Sequence, residues 1–140
     1  MSRAANLTAV ILAGGLGMRL RKVISNDPKV LAKINGRPFI HYLLDQLNLA
    51  KIKKVVISTG YMAEKIEKRI GDKYKNLKID YCKEDQPAGT GGGLKNAQKA
   101  INSDYCLVMN GDSYIMYNPL ELFTTHKKLN AMITMVTRES

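Results

Sequence analysis

At 140 residues the chain has the length of one ordinary domain, enough to bury a single substantial core. Hydrophobic residues at 45% and charged residues at 24% match soluble globular averages, and no run approaches the ~18 apolar residues that cross a bilayer, so the expectation is a soluble protein with no membrane-spanning segment. The net charge of +10 asks for an anionic partner and leaves three classes in competition: nucleic acid, a membrane surface or a phosphorylated small molecule.

The first element is "LTAVILA", Leu7 to Ala13, apolar nearly throughout and so expected as a strand buried on both faces. Glycines and Arg19 follow where a signal-peptide cleavage site would lie, so no export signal is inferred. Pro38 to Leu49 reads as a helix: Phe39, Leu43 and Leu47 recur every four residues beside Ile40 and Leu44, and Pro38 suits a first turn. "KVVIST" is a second strand, and "YMAEKIEKRIG" a helix with Met62, Ile66 and Ile70 on one face and Gly71 as its stop. "LKIDYC" alternates as a third strand. After "KEDQPAGTGGG", read as a loop, comes a helix carrying Leu94, Ala97 and Ile101 on one side. "DYCLVMNGD" is a fourth strand ending in polar residues, followed by a short helix near Pro119 to His126 and a fifth strand in "AMITMVT".

Strands and helices alternating through short loops predict a three-layer, Rossmann-like α/β fold with a mainly parallel sheet and right-handed crossovers, in one domain over residues 1–140. Cys82 and Cys106 lie far apart in strand contexts and are expected as buried thiols, which fits a cytoplasmic protein. The basic residues between Lys51 and Lys78 are interleaved with Glu64, Glu67, Asp72 and Asp80, and read as a solvated surface ahead of a nucleic-acid patch.

In open α/β sheets ligands bind beyond the carboxyl ends of the strands, and four polar or glycine-rich loops fall there: "AGGLGMR", "STGY", "KEDQPAGTGGG" and "NGDS". Gly14, Gly15 and Gly17 let backbone N–H groups approach anionic oxygens, although a tight turn without a ligand explains glycines alone equally well. The dinucleotide fingerprint fails because Leu20 stands where its third glycine belongs, and no Gly-Lys-Ser/Thr of a P-loop occurs. Arg19 and Lys29, close to the glycines, supply a forked and a movable cation suited to a polyphosphate, while Arg21 keeps a surface reading. Asp112, leaving an apolar strand at the same edge, is a candidate Mg²⁺ ligand, its alternative being a turn or helix cap between Gly111 and Ser113.

Taken in order, "LAGGLGMRLR", "PKVLAKINGRPFIHYLLDQL", "EDQPAGTGGGL" and "NGDS" resemble the sugar-phosphate nucleotidyltransferases over nearly the whole chain, nearest to guanylyltransferases acting on heptose 1-phosphate and mannose 1-phosphate. The resemblance implies the nucleotide-diphospho-sugar transferase fold and a reaction that joins a nucleoside triphosphate to a sugar 1-phosphate, releasing pyrophosphate with Mg²⁺ as cofactor. It implies Arg19 and Lys29 as catalytic cations and Asp112 as metal ligand. It implies nucleotide contacts from Leu12, Ala13, Gly14, Gly15, Gly17 and Met18, from Glu84, Gly89 and Thr90, and from Asn110 and Gly111. Met18 replaces the small hydroxyl residue commonest in that motif. A phosphate nucleophile is already ionised, so no general base is required, and His41 and His126 fall on predicted helices away from the loops.

Related uridylyl- and thymidylyltransferases carry a glutamine five positions before the glycine matching Gly89, where this chain has Glu84. A carboxylate only accepts hydrogen bonds, which suits the adjacent N1–H and 2-amino donors of guanine and favours GTP; the competing reading has Glu84 facing water. The family pattern continues past Ser140 with segments that grip the sugar phosphate and supply a second aspartate, so a C-terminally truncated piece is expected, with an exposed sheet edge masked by self-association. Two other classes stay open: a non-catalytic nucleotide-binding module, and, ranked below it, a basic nucleic-acid-binding domain.

Overall fold

The computed structural model describes residues 6–15 and 27–139. Gly17, Met18, Arg19 and Arg21 lie outside the described residues. Strand β1 (Leu7–Leu12) is followed, beyond a 3-10 turn at Lys29–Leu31, by a hairpin of β2 (Lys33–Ile34) and β3 (Arg37–Pro38). Helix α1 (Phe39–Leu49), β4 (Lys54–Thr59), α2 (Ala63–Ile70), β5 (Lys73–Tyr74) and β6 (Leu77–Lys83) come next. The described chain continues through α3 (Gly89–Ala97), β7 (Tyr105–Asn110) and α4 (Pro119–Leu129).

The main sheet runs in the order β5-β6-β4-β1-β7, parallel throughout except for the short antiparallel β5. From β1 the chain steps through β4 to β6 in one direction, then returns across the sheet to β7 on the other side of β1. Right-handed crossovers put helices on one face during the outward steps and on the opposite face during the return. The core divides accordingly. Ile40, Leu43, Leu44 and Leu47 of α1 and Ile66 and Ile70 of α2 pack with Ala9, Ile11, Val55 and Ile57 in one cluster. Ala97 of α3 packs with Val10 and Val56 in the other, joined by the partly buried Leu94 and Ile101. The three-layer α/β arrangement is therefore present, and its first strand is buried on both faces as expected.

The short elements have local causes. Asn35 and Gly36, with φ of 50° and 77°, form the two-residue turn between β2 and β3, a hairpin the Asn-Gly pair announces and the strand-and-helix alternation does not. Gly71 ends α2 at a positive φ of 78° with an extended ψ of −164°, a region essentially reserved for glycine. Asn118 caps α4, its side-chain oxygen accepting from the backbone N–H of Leu120 (3.0 Å) and Glu121 (3.3 Å).

Four expectations are corrected. The glycine-rich run is not all loop, because α3 begins at Gly89 and takes in Thr90 and Gly91 to Gly93. Ile101 lies beyond α3 in extended backbone, although its side chain packs on the expected side. The run "AMITMVT" forms no strand. A strand needs a ladder partner for its N–H and C=O groups; this segment instead turns back on α4, where Thr134 Oγ1 lies 2.8 Å from His126 Nδ1. Finally, the cysteines are free, but Cys82 is only half-buried and Cys106 is exposed, because β7 turns Cys106 and Val108 to a face that α3 does not reach. Among the described residues no helix is long and apolar enough to cross a membrane.

Candidate functional site

The loops at the carboxyl ends of the strands are registered by the sheet itself. Beyond the last residue of β1, the Ala13 N–H donates to the Ser58 carbonyl at 2.8 Å, and the Gly111 N–H donates to the Leu12 carbonyl at 2.9 Å. Beyond β6 the Glu84 N–H donates to the Thr59 carbonyl at 2.7 Å. The ends of β1, β4, β6 and β7 are thus locked side by side, at the point where the strand order reverses about β1, the usual crevice for a ligand in an open sheet.

The glycines around this crevice have distinct roles. Gly15 is exposed, and among the described residues nothing lies within 4 Å of a Cβ placed on it. Gly111 is buried, and a Cβ there would come within 2.7 Å of the Leu12 carbonyl oxygen and 2.9 Å of Val30; close packing demands glycine. Gly89 opens α3 at φ +72°, with Thr90 exposed beside it. Among the described residues no side chain caps this helix start, which follows the carboxyl end of β6 and leaves its first N–H groups and the positive end of its dipole at that edge. Leu12 is partly buried beneath α3, and Asn110 is exposed at the end of β7.

On the β7 side the Lys29 ammonium and the Asp112 carboxylate meet at 2.8 Å, both nearly half exposed. Lys29 is presented by the 3-10 turn whose Val30 and Leu31 are buried in the core, so the turn is anchored and the cation projects. The hydrogen bond from Lys29 holds the Asp112 carboxyl below the usual aspartate range, against a smaller opposing effect of burial, and Ser113 Oγ adds a contact at 3.2 Å. Downstream, Gln46 of α1 donates to the Ile115 carbonyl at 2.8 Å and fixes the segment leaving Asp112. Asp112 can serve a Mg²⁺ ion: one carboxylate with open access, already neutralising a cation at contact distance, is the donor set such an ion takes alongside water and phosphate oxygens. Among the described residues no cluster of three or more His, Cys, Asp or Glu side chains forms a closed metal site.

Glu84 does not face only water. Its carboxylate lies against the glycine loop and α3, so that a Cβ on Gly14 would fall 2.8 Å from Oε2 and a Cβ on Gly93 2.5 Å from Oε1. Of the residues singled out in the sequence, Leu12, Ala13, Gly14, Gly15, Glu84, Gly89, Thr90, Lys29, Asn110, Gly111 and Asp112 all border this one edge. Gly17, Met18 and Arg19 lie outside the described residues. The histidines are elsewhere, His41 stacked on Tyr74 and His126 set edge-on to Tyr105. Sequence reasoning missed the direct Lys29–Asp112 pair, the contact from Gln46 and the part of Gly93. For Gly93 the sequence carried no signal, because "GTGGG" reads as loop and only the folded chain puts this glycine inside α3.

The model of a family described as nucleotidyl transferase matches residues 8–140. The D-glycero-alpha-D-manno-heptose 1-phosphate guanylyltransferase of Aneurinibacillus thermoaerophilus is 38% identical over 132 residues, covering 94% of this chain and 57% of its own length. The mannose-1-phosphate guanylyltransferase of Mycobacterium tuberculosis is 34% identical over 128 residues, 91% of this chain and 36% of its own. The crystal structure of HddC from Yersinia pseudotuberculosis complexed with GMP-PN superposes with a TM-score of 0.76 at 36% identity, over 85% of this chain and 53% of that one. The chain thus spans little more than half the length of these relatives, or less.

Proposed function

This chain belongs to the nucleotidyl transferase family, and on that premise we propose that it carries the nucleotide-binding half of an enzyme that transfers GMP from GTP to a sugar 1-phosphate and releases pyrophosphate. The observation that carries the reading is the convergence, on one sheet edge, of an exposed glycine, the Glu84 carboxylate seated between Gly14 and Gly93, and a Lys29–Asp112 pair. Guanylyltransferases among the relatives support the choice of nucleotide.

In this reading Gly15 and the open start of α3 offer backbone N–H groups to the nucleotide, where the helix dipole favours negative charge. Glu84, held between Gly14 and Gly93, accepts from the N1–H and 2-amino group of guanine. An oxygen of the sugar phosphate attacks the α-phosphorus in line, the bond to the β-phosphate bridging oxygen breaks, and pyrophosphate leaves with the electron pair. No proton has to move, so the protein's work is positioning and charge neutralisation. The Lys29 ammonium, anchored by its buried neighbours, turns from Asp112 to the phosphates, and Arg19 is assigned to the same charge by the sequence motif. Asp112 would hold Mg²⁺, which supplies Lewis-acid neutralisation of phosphate charge when bound.

The test is a pyrophosphate-release panel crossing GTP, ATP, UTP and CTP with heptose, mannose and glucose 1-phosphates, on this chain and on any longer chain that contains it. Release with GTP and one of these sugars is the expected result; release confined to another nucleotide overturns the choice of GTP. A second reading is a module that binds GTP without turning it over. GTP binding with no release from any combination would favour that module.

A further inference from the structure

We propose that Gly93 is a specificity-determining residue that acts through Glu84: its missing side chain, facing that of Gly14, forms the slot that holds the Glu84 carboxylate at the base end of the crevice. The proposal rests on the reading that Glu84 addresses the guanine edge.

Gly93 is buried in the first half of α3, on the face turned to the sheet. A Cβ at this position would sit 2.5 Å from Glu84 Oε1, 3.2 Å from Ser58 Oγ and 3.6 Å from Leu12 Cδ2. The last two are tight or ordinary contacts; the first is one that real atoms do not make. From the opposite side, a Cβ on Gly14 would sit 2.8 Å from Oε2 and 3.1 Å from the carboxyl carbon. The carboxylate therefore occupies the volume two side chains would have filled. One wall of the slot comes from the loop after β1, the other from α3, and the floor from Ser58 at the end of β4, whose hydroxyl lies 3.5 Å from the Gly93 carbonyl.

Glu84 is the far end of a flexible side chain, so the obstruction is relieved by swinging the carboxylate out while the backbone stays in place. That separates two effects which usually travel together. Alanine is the better helix former, so Gly93→Ala stabilises α3, yet it evicts the group that reads the base. Lys95, exposed in the second half of α3 and away from these contacts, also gains helix propensity as alanine, without the eviction.

The experiment measures GTP and UTP affinity by titration calorimetry with Mg²⁺, alongside melting temperature, for the parent chain, Gly93→Ala, Glu84→Ala, the double variant and Lys95→Ala. Glu84→Ala is expected to cut the GTP-to-UTP preference about tenfold, the scale of losing hydrogen bonds to a charged acceptor. Gly93→Ala should lose about as much while melting no lower than the parent, and the double variant should lose no more than either. Lys95→Ala should keep the preference. If Glu84→Ala lowers the preference and Gly93→Ala leaves it intact, the slot is refuted and the base reading stands. If Glu84→Ala itself leaves the preference unchanged, or the parent binds no GTP, the base reading falls and the proposal with it. An equal loss for both nucleotides with a lower melting temperature, or a further loss in the double variant, assigns Gly93 a structural role only and overturns the proposal.

Discussion

Val10 and Val108 are the same residue, paired in register on adjacent parallel strands, and have opposite fates. Val10 is wholly buried under α3, while Val108 is 39% exposed. The difference divides the molecule. From β6 through β4 to β1 each strand has helices above and below; at β7 only the α4 side is covered, where Phe123 packs edge-on to Tyr105 at 5.0 Å. Cys106 and Val108 remain open on the other face, as do Met132, Ile133 and Met135 in the chain beyond α4. An apolar strand pattern records what the chain can bury; whether it does so depends on a partner arriving from elsewhere in the sequence.

The Lys29–Asp112 pair bridges the two regions, one partner rising from the covered core and the other following β7. Replacing Lys29 by methionine tests what the bridge is for. With nearly half of each side chain exposed, the ion pair should contribute no more than about 1 kcal/mol to stability. On the proposed role, removing this cation should reduce pyrophosphate release about 10²-fold. A large fall in the urea midpoint with little effect on turnover would reverse the assignment and make the pair a structural clasp.

The valines give the contrast directly. Val10→Ala should lose about 2 kcal/mol by urea denaturation, from two buried methyl groups and the cavity they leave. Val108→Ala should stay within about 0.5 kcal/mol. Equal losses would mean that something covers β7 in solution, which sedimentation of the two variants would reveal as self-association through that edge. The cap of α4 is a smaller probe of the same side. Asn118→Ala removes the acceptor for the Leu120 and Glu121 N–H groups and should lower stability by about 1 kcal/mol, read as a lower melting temperature.

What the sequence made legible follows the same division. "KVVIST" is β4 to the residue, and α1 and β6 lie where periodicity put them, because local pattern and tertiary cover agree there; α2 keeps the expected Ile66 and Ile70 but starts at Ala63, leaving Met62 outside it as a left-handed N-cap. "AMITMVT" carries as good a strand pattern and forms none, since periodicity cannot supply a neighbour. At the candidate site the residue types and their common edge were readable from order and spacing. The contacts were not: Lys29 is 83 residues from Asp112, and Gly93 faces Gly14 across a carboxylate, relations that only the folded sheet creates. The start of α3 inside "GTGGG" was hidden for the opposite reason, glycine propensity arguing against the helix that packing imposes.

The finest test lies at the rim of the covered side, away from the crevice. Asp45 of α1 joins Arg37 of β3 at 2.6 Å, Tyr74 of β5 at 2.8 Å and Lys75 at 2.7 Å, tying the two small hairpins to the helix. Burial alone would raise its carboxyl, but the hydrogen bonds from Lys75, Arg37 and Tyr74 outweigh it and bring the group down from 3.8 to about 2. Because the folded-state value is the lower one, the cluster contributes its full stability above the unfolded value near 3.8 and loses it as pH falls toward 2. With the Asp45 side chain 23% exposed and its cationic partners about half exposed, the gain is modest. Melting curves between pH 5 and pH 2 should therefore converge for the parent and Asp45→Asn: the parent starts higher and descends to the variant as the carboxylate protonates. Parallel curves across that window would mean that the three contacts add nothing to the covered side, and that its advantage over β7 comes from apolar burial alone.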